Sequence, residues 1–288
     1  MNTKDLRLDM IEPSLNKVHI LIPTFNRSSQ IVRCLRSVVA QTYTNWKITI
    51  VDNCSSDDTV ERVRGEFYEL IQLKKLNILE FDETVPIIEN WNRCVEAIDN
   101  ECEYLKFLWS DDYLNTQFLS LMVNKLVSNP DLKAVGCAIE YVNRRGENLG
   151  KRRYGSSKVD FLKSAFYKNS LGCPSSMLLK ANDFASRKFN HENRYVADLE
   201  HIMDVLSSTS YETLCETLTY VEVSNSTETS LLSGSEVMVK NKIDFMETAV
   251  QRYYRNSLHY RILKLFMAAS LRVYFFTGSL TNTSFKKR

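Results

Sequence analysis

Tyr104-Leu105-Lys106-Phe107-Leu108-Trp109-Ser110-Asp111-Asp112-Tyr113 is an apolar run of strand length that ends in two adjacent carboxylates. In a parallel strand those carboxylates stand at the carboxyl end, where open α/β sheets bind their ligands. Side-by-side carboxylates repel unless donors or a cation compensate them. A hard divalent ion that keeps positions open for phosphate oxygens suits that task. Taken alone, the pair reads more simply as a turn that caps a helix starting near Asn115. The surrounding pattern decides.

Upstream of it, strands and helices alternate. Val18 to Pro23 is β-rich, and the polar turn Thr24-Phe25-Asn26-Arg27 follows, with Ser28 or Ser29 placed to cap a helix from Gln30 to Ala40. Ile31, Cys34, Leu35 and Val38 fall on one face of that helix. Trp46 to Val51 is a second strand ending in Asp52-Asn53, and Ser56-Asp57-Asp58 suits the next helix N-terminus. Asn77 to Phe81 is a third strand, Pro86 opens a helix through Ile98, and Tyr104 to Leu108 is the fourth strand. Such alternation predicts a parallel sheet covered on both faces. The turn after the first strand is neither a GxGxxG nor a Walker loop, which argues against dinucleotide oxidoreductases and P-loop kinases.

Downstream, a helix is expected from Gln117 to Ser128, a strand from Lys133 to Val142, and basic turns at Arg144-Arg145-Gly146 and Lys151-Arg152-Arg153. A short helix at 159–167, a small-residue loop at 170–176, a strand at Met177 to Leu179, a helix at 194–206 and a strand at 211–223 complete the pattern.

The chain has 288 residues, 44% hydrophobic and 25% charged, with a net charge of only +2, which suits a globular protein and not a dedicated nucleic-acid binder. Seven scattered cysteines without a CxxC pair read as reduced thiols, and no stretch approaches the length of a membrane span. A cytoplasmic protein is the expectation. The four histidines form no HxxxH or HExxH ligand pair.

Four segments occur in order at domain-scale spacing: VHILIPTFN at 18–26, SVVAQTY at 37–43, IVDNCSSDDT at 50–59 and FLWSDD at 107–112. Together they resemble family 2 glycosyltransferases of the GT-A fold, a Rossmann-like, mainly parallel mixed α/β sheet flanked by helices. The likeness divides the chain into an N-terminal arm (1–16), a catalytic domain (17–225) and a loop with a helical tail (226–288). Within the catalytic domain, a nucleotide-sugar half occupies 17–114 and an acceptor half 115–225.

The resemblance implies an inverting transferase that uses a nucleotide-diphosphate sugar, taken as a UDP-sugar, and a divalent ion, Mg²⁺ or Mn²⁺. Pro23, Thr24, Asn26 and Arg27 would line the donor pocket, and Asp52 with Asn53 would meet the base. Asn92 matches an Arg-Asn motif whose arginine is here Trp91, with Arg93 as a substitute. Ser110, Asp111 and Asp112 stand for the acidic motif, with Asp112 on the metal and Asp111 on the ribose or the metal's water shell. Ser110 replaces its first carboxylate. Asp198 is the expected general base, with Glu200 and Glu192 as fallbacks and Ala197 replacing a usual acid. These departures leave a second reading open, a catalytically degenerate scaffold in a glycan-assembly complex.

From Thr248 onward the chain has no acidic residue, and its Arg and Lys alternate with aromatic and aliphatic residues. Such a helix either lies on an anionic membrane or packs on its own domain. With the resemblance, the first reading implies a peripheral protein on the cytoplasmic face of an inner membrane, acting on a glycan or lipid-linked acceptor in surface polysaccharide synthesis.

Overall fold

A computed structural model describes residues 16–154, 172–184, 187–191, 196–206 and 210–223. The arm, the 159–167 helix, Glu192 and the tail beyond 223 lie outside the described residues.

The first half builds as the alternation predicts. Strands β1 (Val18–Thr24), β2 (Trp46–Asp52), β3 (Leu76–Glu80) and β4 (Tyr104–Phe107) are parallel and lie in the order β3-β2-β1-β4. Every residue of β1 and β4 is buried, as befits strands covered on both faces. Helix α1 (Ile31–Val39) buries Ile31, Cys34, Leu35 and Val38, the face read from the sequence. No side chain caps it, so neither Ser28 nor Ser29 plays the expected role; instead the amides of Gln30 and Ile31 bond the Arg27 carbonyl. Helix α2 (Thr59–Glu66) does use its acidic start: Oδ1 of Asp57 accepts the Thr59 amide at 3.0 Å. The short α3 (Tyr68–Gln72) follows, then α4 (Ile87–Glu96) after Pro86.

The second half turns the sheet mixed. Beyond β4 the order continues β8 (Met177–Lys180), β6 (Leu132–Val142), β9 (Ser210–Glu222) and β5 (Tyr113–Leu114), with β7 (Asn148–Arg152) pairing off β6. Strand β8 runs antiparallel to both β4 and β6, whereas β9 runs parallel to β6. Lys151 and Arg152 therefore belong to a strand, not to a second basic turn; Gly146, at φ +80°, makes the hairpin bend between β6 and β7. The two-residue β5 (Tyr113–Leu114) pairs Tyr113 with Tyr220, whose rings stack at 4.7 Å.

Two apolar layers sandwich the sheet. One gathers α1 and α5 (Phe118–Ser128) over residues such as Ile20, Ile48 and Leu108. The other gathers α4, the single turn α6 (Ala181–Phe184) and α7 (Ala197–Leu206) over Leu21, Val51 and Phe107. Among the described residues no helix is long and apolar enough to cross a membrane.

Candidate active site

The register places Thr24 opposite Asp52 at the carboxyl edge of β1 and β2, and the β4 exit lies beside them. The loops that leave β1 and β2 are laced together. Asn26 and Cys54 adopt left-handed backbone angles, φ 51° and 62°, which bring the two loops face to face. Oδ1 of Asn26 accepts the Ser56 amide at 2.8 Å, and the Asn26 amide donates to Oγ of Ser55 at 2.9 Å. Ser55 in turn donates its amide and its hydroxyl to the two carboxylate oxygens of buried Asp52, at 2.8 and 2.5 Å. Each of those oxygens keeps a further lone pair for a ligand. Oγ1 of Thr24 is buried without a hydrogen-bond partner, and Pro23 is buried opposite Val51.

Asn53 holds the Val85 segment through two bonds, Nδ2 to the Val85 carbonyl at 2.8 Å and the Val85 amide to Oδ1 at 2.9 Å. Arg93 lies across the Phe81 ring at 3.8 Å and donates to Asn53. Asn92 faces elsewhere. Its amide pairs with both main-chain groups of Phe189, at 3.1 and 2.7 Å, and contacts His191 Nε2 at 3.2 Å. It is therefore neither a solvated helix position nor a member of the ring around Asp52; it clamps the 187–191 segment to α4. Trp91, at the arginine position of the motif, stacks on Trp109 with centroids 4.6 Å apart and meets the edge of Phe189.

The acidic pair divides its duties. Asp111 is partly exposed, and its Oδ2 lies 3.9 Å from Nε of Arg27. Burial pushes its carboxyl above the usual range, while Arg27 opposes the rise. Asp112 is buried at 2% exposure. Its Oδ1 accepts the Glu222 amide, its own amide donates to the Trp109 carbonyl at 3.0 Å, and Oδ2 has no partner. Burial, with Asp111 adding to it, drives the Asp112 carboxyl well above the normal carboxylate range. Ser110 is buried next to the pair.

An orphaned, buried carboxylate oxygen beside a second carboxylate fits a divalent ion, which would supply the missing charge. Among the described residues no three His, Cys, Asp or Glu side chains converge to hold an ion unaided. The donor set is thus one that substrate oxygens would complete, as for a magnesium-type ion.

Asp198 stands in the first turn of α7, where its Oδ1 accepts the Leu199 amide at 2.8 Å. Burial raises its carboxyl to about 6. Glu200 is buried and receives Asn190 at 3.4 Å. Burial and then Asp112 push the Cys173 thiol up to about 12.

The glycosyl transferase family 2 model matches residues 19–188. The chain belongs to that family. Among the chain's relatives is the glycosyltransferase GlyA of Streptococcus pneumoniae, 27% identical over 127 residues, covering 42% of this chain and 16% of GlyA. Another is the poly(ribitol-phosphate) beta-N-acetylglucosaminyltransferase TarS of Staphylococcus aureus, 31% identical over 105 residues, covering 36% of this chain and 18% of TarS. The matched stretch thus spans less than a fifth of either relative. A crystal structure of S. aureus TarS residues 1–349 in complex with UDP-GlcNAc superposes with TM-score 0.68 at 16% identity, covering 94% of this chain and 75% of that one. The mannosyltransferase PcManGT of Pyrobaculum calidifontis, in complex with GDP-Man and Mn²⁺, superposes with TM-score 0.55 and covers 94% of this chain and 85% of that one. The fold is that of GT-A glycosyltransferases.

The sequence pattern missed Ser175, Glu222, Arg33 and Lys106. Arg33 donates to the Asp111 carbonyl at 3.0 Å and to Glu222 at 2.5 Å. Ser175, Glu222 and Arg33 reach the site from distant elements, and Lys106, inside the β4 run itself, reads as one polar residue in an apolar strand.

Proposed function

We propose that this family 2 glycosyltransferase transfers a sugar, with inversion, from a UDP-sugar to a hydroxyl of a glycan or lipid-linked acceptor in surface polysaccharide synthesis. The observation that carries this reading is the buried Oδ2 of Asp112, left without a partner beside Asp111 at the β4 exit; Asp198, whose carboxyl burial raises to about 6, is the candidate base. An ionised carboxylate in a partly buried site can take the proton of an attacking hydroxyl. The Asp52–Asn26 loops offer the edge where the nucleoside would lie, and Arg27 stands between them and Asp111. Asp112 and Asp111 would hold Mg²⁺ or Mn²⁺, which when bound neutralises a diphosphate leaving group. Attachment of the basic tail to an anionic inner-membrane face belongs to the same proposal, supported by the composition of residues 248–288.

The test is a thermal-shift series with UDP, UDP-GlcNAc and GDP-mannose, with and without Mn²⁺, on wild type and Asp112→Ala. Metal-dependent stabilisation by the uridine ligands, lost in the variant, is the expected result. Binding without any sugar release would favour the scaffold. Equal partitioning of the full chain and a tail-deleted form onto anionic vesicles would remove the membrane part.

A further inference from the structure

We propose that Lys106 is a positioning residue for the acidic pair: its buried ammonium locks the Cys173–Ser176 turn under Asp112. This rests on the reading that Asp111 and Asp112 hold a divalent ion, and it adds a residue that contacts no ligand.

Lys106 lies inside β4 opposite Ile20, is 0% exposed, and has its Nζ 4.6 Å from the centroid of the Phe118 ring. Its hydrogen-bond partners are all main-chain oxygens: those of Phe107 at 3.0 Å, Pro174 at 3.3 Å and Ser175. Burying an ammonium without a carboxylate partner is costly, and an apolar chain of similar length would fill the space without that cost.

Ser175 shows what the ammonium holds. The Ser175 carbonyl accepts both Lys106 and the Thr219 hydroxyl, the latter at 3.0 Å. Its side-chain oxygen accepts the Trp109 amide at 3.1 Å, and the Trp109 carbonyl accepts the Asp112 amide at 3.0 Å. Ser175 thus joins the lysine, through Trp109, to the backbone of the second carboxylate. The groups facing Lys106 are Asp112, Cys34 on α1, Cys137 on β6 and Cys173 on the turn. Burial brings the ammonium down to about 8 against their opposition, so it is charged at neutral pH and discharges just above. An unfolded chain keeps that proton to higher pH, so the charged form subtracts from stability at neutral pH, and the loss fades as pH rises past 8. A fully buried ammonium whose hydrogen-bond partners are all main-chain oxygens acts through the backbone it positions.

The experiment is calorimetric titration of the full chain with UDP in Mg²⁺, on wild type, Lys106→Met and Ser175→Ala, with a melting curve for each. Lys106→Met is expected to melt within about 5 °C of wild type and to bind Mg²⁺–UDP about tenfold more weakly. Ser175→Ala should weaken binding similarly, and the double variant no more than either alone, as for one connected path. Between pH 7 and 9 wild-type affinity should fall through about 8, whereas Lys106→Met should be flat, a difference that simple loss of packing does not produce. A Lys106→Met protein with wild-type affinity, or with the same alkaline decline, overturns the proposal. Should that variant not fold, Ser175→Ala binding like wild type overturns it equally. If wild type itself binds no Mg²⁺–UDP, the site reading falls and takes this inference with it.

Discussion

The Glu222 amide donates to Oδ1 of Asp112 at 3.2 Å, which ties the last residue of β9 to the second carboxylate of the acidic pair. The Glu222 side chain meanwhile receives Arg33, which also holds the Asp111 carbonyl. Asp112 is therefore gripped from both halves of the sheet while its Oδ2 stays unpartnered.

That arrangement sets the first prediction. Asp112→Asn removes a buried charge that burial and Asp111 both disfavour. Without ligand it should gain about 1 kcal/mol in urea denaturation, and in Mn²⁺ with UDP it should lack the thermal shift expected of wild type. A variant that kept the full shift would place the ion elsewhere.

Asp198 predicts a pH profile. With its carboxyl near 6, turnover should fall as pH drops through about 6, because the protonated acid cannot accept the acceptor's proton. Asp198→Asn should lower kcat by about 10²–10⁴-fold with UDP affinity unchanged by calorimetry. An acid limb that survives in the variant would assign the base to another group.

Two buried histidines predict acid sensitivity. His19 accepts the Asp99 amide on Nδ1 at 3.1 Å and has its Nε2 2.8 Å from the Thr49 hydroxyl, so it is held neutral; burial lowers it to about 3. His201 lies against Phe189 with centroids 4.1 Å apart, and burial lowers it to about 4. Both are depressed below the unfolded value of 6.5, so their own contribution to stability is full above that pH. It falls by about 1.4 kcal/mol per pH unit for each histidine as pH drops toward 4, against the opposite contribution of the raised Asp111, Asp112 and Asp198 carboxyls. Urea midpoints at pH 7, 6 and 5 check this, and His19→Gln should flatten the slope.

The Asn92 clamp gives a prediction that separates packing from donor contact. Asn92→Ala leaves both main-chain groups of buried Phe189 without partners. It should cost about 2–3 kcal/mol yet leave UDP affinity at the wild-type value. A selective loss of affinity in a stable variant would return Asn92 to the donor pocket.

Strands β1, β2 and β4 were legible because each is a mostly apolar run buried along its length, and α1 shows its buried face at i, i+3, i+4 and i+7; the edge strand β3, with only Leu76 buried, was weaker. Tyr113–Leu114 was not legible, since two residues carry no periodicity and the strand exists only through Tyr220 and Thr219, far along the chain. Asn148–Arg152 was hidden because it is solvent-facing and basic, with only its pairing to β6 to define it. The same division runs through the site. Asp52, Asp111, Asp112 and Asp198 stand at element ends that the pattern marks, whereas Ser175, Glu222 and Lys106 become relevant only through contacts made by folding. Trp91, a departure on paper, has a physical account in its stack on Trp109.

The lacing of the β1 and β2 exits has a consequence for speed. With Asn26, Ser55, Ser56 and Asp52 already bonded to one another, those loops have surrendered their freedom before any ligand arrives. A nucleoside docking at that edge, as proposed, would meet a preformed surface, so encounter frequency and not rearrangement would set its association rate.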